Sequence, residues 1–335
     1  MGLDQLLISV VKIIAILGWI YGVLWVLGLK AWWAKVIGIV AAFGIVQLAL
    51  TPMGGFQVLN DFDQGLLFQA SAMAMVAIGL NLIYGFNGQF SLGQWGFYGI
   101  GAYASADITY RWMNGDASGL FVAGLLVILG GLALLFVGRL VGRLKGMPVL
   151  SQFTLYLVGM GLAAVVAVVV GNALARAVAP AFEGGFLLSN AVLNVLLLLA
   201  VIIGGVFAAE VSFLFGLPVL TLGSDYFGIA TLGFTIVVQT LMINSDTILP
   251  FPEMKGGRGM IGIPKLTTWF WAFFFLMLTI IVMRNLIYSS TGRAIISVRE
   301  DETAAKAMGI DIARYKLLAF VIGSLFAGLG GGIYA

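Results

Sequence analysis

The chain has 335 residues, 61% of them hydrophobic and 9% charged, with 17 basic against 14 acidic side chains and a net charge of +3. Cys and His are both absent, which excludes disulfides, thiol catalysis, zinc sites of the usual kind and His-based triads. The composition predicts an all-α, polytopic transmembrane helical bundle of about 9–10 membrane segments, and the charge balance gives no reason to expect nucleic acid.

Apolar runs of spanning length are predicted near 6–28, 31–50, 66–84, 95–110, 119–138, 149–171, 190–209, 226–243, 269–287 and 317–335. The first run lacks a basic start and a small-residue cleavage site, so it reads as a retained span. It contains Lys12, a charge expected to snorkel or to face protein. The fourth run is short and glycine-rich, and is read as broken or re-entrant. Few charges besides Lys12 are expected inside spans. If all ten cross, eleven basic residues fall on one side and five on the other, with Lys12 in the first span. The richer side is cytoplasmic.

Asn81–Tyr103 carries the first polar signal. Gly93, Gly96 and Gly99 recur every third residue and permit close backbone approach. Asn81, Asn87, Gln89, Ser91 and Gln94 add groups that lipid cannot satisfy. Two readings stand side by side: helix packing with amides as interhelical glue, or a translocation pathway lined by these residues together with Gly93 and Gly96. Asp107, just beyond, is expected at the outer interface. The outside loop 244–268, with Gly256, Gly257 and Gly259, is a docking surface, an external gate or a plain connector. The aromatic run Trp269-Phe270-Trp271 reads as interface anchors.

Between two apolar spans lies a charged island, Tyr288–Lys316, holding 9 of the 31 charged residues. Ser297 followed by Glu300 has the spacing of a capping box, predicting a helix from about Val298 to Met308. Glu300, Asp301 and Glu302 then suit its first turn, Lys306 its far end, and Gly309 its stop. About three turns of helix follow, with Ala304, Ala305 and Ala307 making a flat surface fit for a partner's cleft. A solvated loop that only sets topology is the plainer alternative. The glycine runs at Gly256–Gly259 and Gly328–Gly332 lack the Gly-Lys-Ser/Thr ending of a phosphate loop. Energy for any transport is therefore expected from another subunit.

Three blocks together resemble the LivM-type permease of branched-chain amino acid ABC importers. The first runs from Gly79-Leu80-Asn81-Leu82 through Gly88-Gln89-Phe90-Ser91-Leu92-Gly93 to Gly99-Ile100-Gly101-Ala102-Tyr103. The second joins Ser224-Asp225-Tyr226-Phe227 and Thr231-Leu232-Gly233-Phe234 to the glycines after Gly256 and to Gly262-Ile263-Pro264. The third is Gly292-Arg293-Ala294, Arg299-Glu300-Asp301-Glu302, Ala304-Ala305, Gly309-Ile310 and Arg314-Tyr315-Lys316-Leu317-Leu318-Ala319-Phe320.

The resemblance implies an inner-membrane, multi-pass subunit without its own ATPase site and without a bound cofactor or metal. It implies two cytoplasmic ATPases that hydrolyse ATP, a second homologous permease, an external solute-binding protein, an amino-acid substrate and a lipid surround. Glu302–Gly309 looks like the coupling helix such permeases present to the ATPase, so Arg299, Glu300, Glu302, Ala304, Ala305, Lys306, Met308 and Gly309 are its candidate residues. A urea or short-amide importer is the alternative within the class; an autonomous channel or secondary transporter, or a structural scaffold, lies outside it.

The chain is read as one permease domain over 1–335, with N-terminal spans in 1–65 and a coupling loop at 288–316. It departs from the family by about two extra spans, read as an inserted hairpin near 140–215. Gly146-Met147-Pro148-Val149-Leu150 reappears there as Gly216-Leu217-Pro218-Val219-Leu220. Ser224, Ile236, Gln239 and Gln94 stand in or beside places where the family often has charged residues or His. The chain stops at Ala335 inside an apolar segment, where the family continues through further spans.

Overall fold

A computed structural model describes residues 3–51, 59, 61–143, 148–183, 185–220, 224–248 and 254–335. They fold as α1 (Leu3–Gly28), α2 (Trp32–Leu50), α3 (Asp61–Asn81), α4 (Gln94–Met113), α5 (Ser118–Arg143), α6 (Val149–Val178), α7 (Asn190–Val219), α8 (Ser224–Ile243) and α9 (Ser245–Ile248). Then come α10 (Trp269–Tyr288), α11 (Ser290–Glu300), α12 (Glu302–Ala307) and α13 (Ile312–Tyr334). Among the described residues nine helices are long and apolar enough to cross a membrane, and no strand forms beyond an isolated Met254–Met260 bridge. Helices close every backbone hydrogen bond within the segment, which hydrocarbon demands.

The chain divides into two compact units, Met1–Leu67 and Phe68–Ala335. In the first, α1 and α2 pair side by side, and the Trp19 indole donates to the Ala42 carbonyl at 2.9 Å. Lys12 faces protein: its ammonium meets the Asp63 carboxylate at 2.6 Å.

In the second unit α13 packs against α4 and α7, and α5 pairs with α6. The expected break in the fourth span is absent. Gln94–Met113 is one continuous α-helix with half its residues buried, though not among the nine apolar enough to cross. The irregularity lies upstream, where α3 ends in a π-turn over Leu82–Phe86 and the chain runs without helix through Gln89–Gly93. The glycines of 328–332 are buried inside α13. Gly101 of α4 lies against the backbone of Gly328 so closely that any Cβ at Gly101 would collide with it. Ser105 of α4 reinforces the seam, its one hydroxyl proton shared between the Gly101 carbonyl of its own helix at 2.8 Å and the Ala200 carbonyl of α7 at 3.0 Å.

Two sequence expectations change here. The Pro-Val-Leu repeat is not one structural unit: Pro148 precedes the start of α6, whereas Pro218 and Val219 close α7, and Gly146 and Met147 lie outside the described residues. Trp269 is a core residue, 2% exposed, rather than an interface anchor, while Phe270 stays half-exposed.

Candidate functional site

The charged island folds as three capped helices. Ser289 caps α11, accepting from the Gly292 N–H at 3.2 Å. Asp301 caps α12, accepting from the Thr303 and Ala304 N–H groups at 2.7 and 3.0 Å. Asp311 caps α13 through the Arg314 N–H at 3.2 Å. A short polar side chain at each junction, one hydroxyl and two carboxylates, accepts from N–H donors that the first turn of the following helix leaves open.

The predicted Ser297–Glu300 capping box does not form. Ser297 is inside α11, its hydroxyl donating to the Ala294 carbonyl at 2.8 Å, and Glu300 ends that helix. Ser297 lost the competition because α11 already has a start at Ser289, and Asp301, in extended conformation, restarts the chain. The helix expected over Val298–Met308 is therefore two pieces, and α12 spans only six residues. Its stop is as expected. Gly309 has φ +83°, and the Gly309 and Ile310 N–H groups return to the Lys306 and Ala305 carbonyls at 3.0 Å each. This is the paired closing pattern that glycine makes cheap.

The alanine face is also revised. Ala305 turns inward at 4% exposure, whereas Glu302, Ala304, Lys306 and Ala307 are exposed and Met308 stands 83% open. The surface offered outward is Ala304, Ala307 and Met308. Lys316 of α13 holds α12 in place, donating to Glu302 at 2.7 Å.

The other half of the island, α11, buries Gly292, Ile295 and Val298. It places Arg299, which pairs with the neighbouring Glu300, over the end of α3. The Arg299 guanidinium donates to the Gly85 carbonyl at 2.6 Å, and Gly88, at φ +75°, lets its alkyl stem pass. A Cβ on Gly88 would lie 2.7 Å from Arg299 Cγ. A cation at the carbonyl end of a helix is favourable, and here it takes up a carbonyl of the π-turn.

Below that contact four of the predicted polar residues are buried together: Asn87, Gln89, Ser91 and Gln94 are all at most 5% exposed. Asn87 donates to Gln89 at 2.7 Å, and the Gly93 N–H approaches the Ser91 hydroxyl at 3.3 Å. Asn81 is not with them; it is exposed. The bend is laced to α8, where Thr231 accepts from the Leu92 N–H and Thr235 donates to the Leu92 carbonyl, both at 3.0 Å. Gly93 and Gly96 seat against Thr231 and Phe234, while Gly99 opens, with Trp95, Thr235 and Gln239, on a cavity of about 420 Å³. Gly93 is accounted for by packing, Gly96 both packs on Phe234 and lines the cavity, and Gly99 lines it.

In the loop between α9 and α10 a single 3-10 turn forms at Gly256–Arg258, with Gly256 at φ +61° and Gly259 at φ +70°. Gly256 is buried beside the Asp246 carboxylate, and Gly257 is exposed. Residues 249–253 of that loop lie outside the described residues.

The sequence reading passed over Glu210, a carboxyl in α7 that is 5% exposed. It faces the Gly130-Gly131 pair of α5, where a Cβ on Gly130 would lie 2.7 Å from Oε2. A single acid inside a 30-residue apolar helix was the available signal.

The profile of a family described as branched-chain amino acid transport system / permease component matches residues 64–182 and 146–335. The high-affinity branched-chain amino acid transport system permease protein LivM of Escherichia coli is 33% identical over 168 residues, covering 40% of this chain and 38% of that protein. The LivM protein of Salmonella typhimurium is 32% identical over the same length, and a probable LivM permease of Methanocaldococcus jannaschii 26% over 159 residues. The matched part spans about two fifths of the length of these curated relatives. No solved structure matches significantly. The profile covers most of the chain, which belongs to this permease family and is a multi-pass membrane protein.

Proposed function

We propose that this member of the permease family is the inner-membrane subunit of an ABC importer for branched-chain or related amino acids. Two cytoplasmic ATPases supply the energy, a second homologous permease completes the pathway, and an external solute-binding protein delivers substrate. The chain has no ATPase site of its own in this reading, and ATP is consumed by the partners.

The observation that carries the proposal is the Arg299 bridge. Within a family of transport permeases, α12 presents Ala304, Ala307 and Met308 outward. The adjoining α11 is tied by one guanidinium to the non-helical bend between α3 and α4. Force applied at α12 thus has a short route to the buried Asn87, Gln89, Ser91 and Gln94 and, through Leu92, to α8. Movement of that bend is the proposed link between ATPase closure and alternating access. The stretch near 140–215 is read as the insertion; the two profile matches overlap within it, over 146–182, which supports the reading.

The test is reconstitution with the candidate ATPases and binding protein in proteoliposomes. ATP-dependent leucine uptake is expected only when all subunits are present. Uptake that persists without the ATPases overturns the importer reading.

A further inference from the structure

A second cavity, also about 420 Å³, lies among α4, α5, α6 and α7, with Met242 of α8 and Met254 also lining it, within the ~300–1,000 Å³ range of small-molecule sites. Most of its wall is apolar, with Ile100, Val122, Leu126, Val168, Ile203 and Phe207 among the lining residues. Its polar groups include an acid and a base side by side on α4: Arg111 Nε meets Asp107 Oδ1 at 2.9 Å, the side chains 18% and 20% exposed. Arg111 is held from behind. Its Nη1 donates to the Ser118 hydroxyl at 3.2 Å, which donates to Asp116 at 2.6 Å, and Gly119 packs on its stem.

Charges among membrane helices are costly and tend to mark ligand sites. An isolated topology anchor needs no cavity beside it. A cavity that offers one negative group, one positive group and an aliphatic remainder matches one ligand class closely. We propose that this cavity binds a zwitterionic aliphatic α-amino acid, its ammonium at Asp107, its carboxylate at Arg111 and its side chain among Val122, Ile203 and Phe207. This deepens the importer reading and rests on it for the substrate class. The site lies within one chain, away from the polar bend by sequence and by lining residues, and the ligand's own charges complete the pair into a neutral four-charge cluster. A phospholipid with an ethanolamine headgroup carries similar charges and is the competing occupant.

Binding of radiolabelled leucine to the purified complex without the solute-binding protein tests the site, alongside ATP-driven uptake with it. Wild type is expected to bind leucine, displaced neither by isocaproate, which lacks the ammonium, nor by isoamylamine, which lacks the carboxylate. Asp107→Asn and Arg111→Gln are each expected to weaken binding at least tenfold. Ile203→Trp, which fills the cavity and leaves both charges, is expected to abolish it in a complex that still elutes as a single species. Wild-type binding that survives all three substitutions overturns the site, as does an absence of wild-type binding or a copurifying phospholipid that leucine does not displace. If uptake is normal in those cases the importer reading stands. A complex that binds leucine through Asp107 and Arg111 but transports no amino acid overturns the importer reading and leaves the site.

Discussion

Arg299 and Gly85 are 214 residues apart in sequence and joined by a 2.6 Å hydrogen bond. The donor sits near the end of α11 in the charged island and the acceptor on the π-turn that ends α3. Arg299→Ala removes the bridge. Because the side chain is 43% exposed, its loss is expected to cost only about 1 kcal/mol of stability. Transport is expected to fall at least tenfold while the ATPases still copurify and hydrolyse ATP. Normal uptake by this variant would show that the bridge is dispensable for coupling.

Docking and folding separate on α12. Ala307→Glu and Met308→Glu place charge on the outward face, so the chain is expected to fold and the ATPases to fall away. Ala305→Glu buries a carboxylate in a site that is 4% exposed, so the loop itself is expected to unfold. Copurification paired with limited proteolysis of the loop distinguishes the two results; equal behaviour at 305 and 308 would refute the assigned faces.

The ends of α12 are set by two residues. Asp301→Ala leaves the Thr303 and Ala304 N–H groups without their acceptor, a loss of about 1 kcal/mol. Gly309→Ala forces a Cβ into φ +83°, costing about 1 kcal/mol as well. Hydrogen exchange of residues 302–308 should quicken several-fold in each variant, whereas Ser297→Ala, outside any cap, should leave it unchanged.

Helix approach at Gly101 and Gly328 leaves no room for a side chain. Gly101→Leu is expected to prevent accumulation of folded protein, while Gly18→Leu, with open space around its Cβ position, is expected to be tolerated. Detergent-soluble yield and size-exclusion profiles decide it.

Glu210 is incompletely satisfied beside the glycine pair: the Gly131 backbone reaches the carboxyl, but its Oε2 has no hydrogen-bond partner among the described residues. Glu210→Met is therefore expected to raise the melting temperature in detergent, as removal of an unmade bond returns about 1–3 kcal/mol. A fall in melting temperature would mean that the carboxyl is structurally required. Gly130→Leu is expected to lower it by displacing α5.

Much of this was legible beforehand. Apolar length marks a helix whatever it packs against, so the ten predicted spans each coincide with a helix, α4 included. Gly309 was identifiable because a helix stop depends on one residue's backbone freedom. Ser297 misled because capping signals are ambiguous when several acceptors crowd one loop; Asp301 has an equally short side chain and the extended backbone. Asn81 was grouped with Asn87 and Gln94 by proximity in sequence, yet the π-turn between them rotates it outward.

The sequence by itself determined the class, the spans, the charged island and the family resemblance, because hydropathy, charge and motif order are properties of neighbouring residues. Tertiary structure alone decided which carbonyl Arg299 takes, that Ala305 faces inward, that Glu210 meets a glycine pair, and that Asp107 and Arg111 border a cavity. Each of those depends on helices distant in sequence meeting in space, with backbone separations that only small residues at the seams allow.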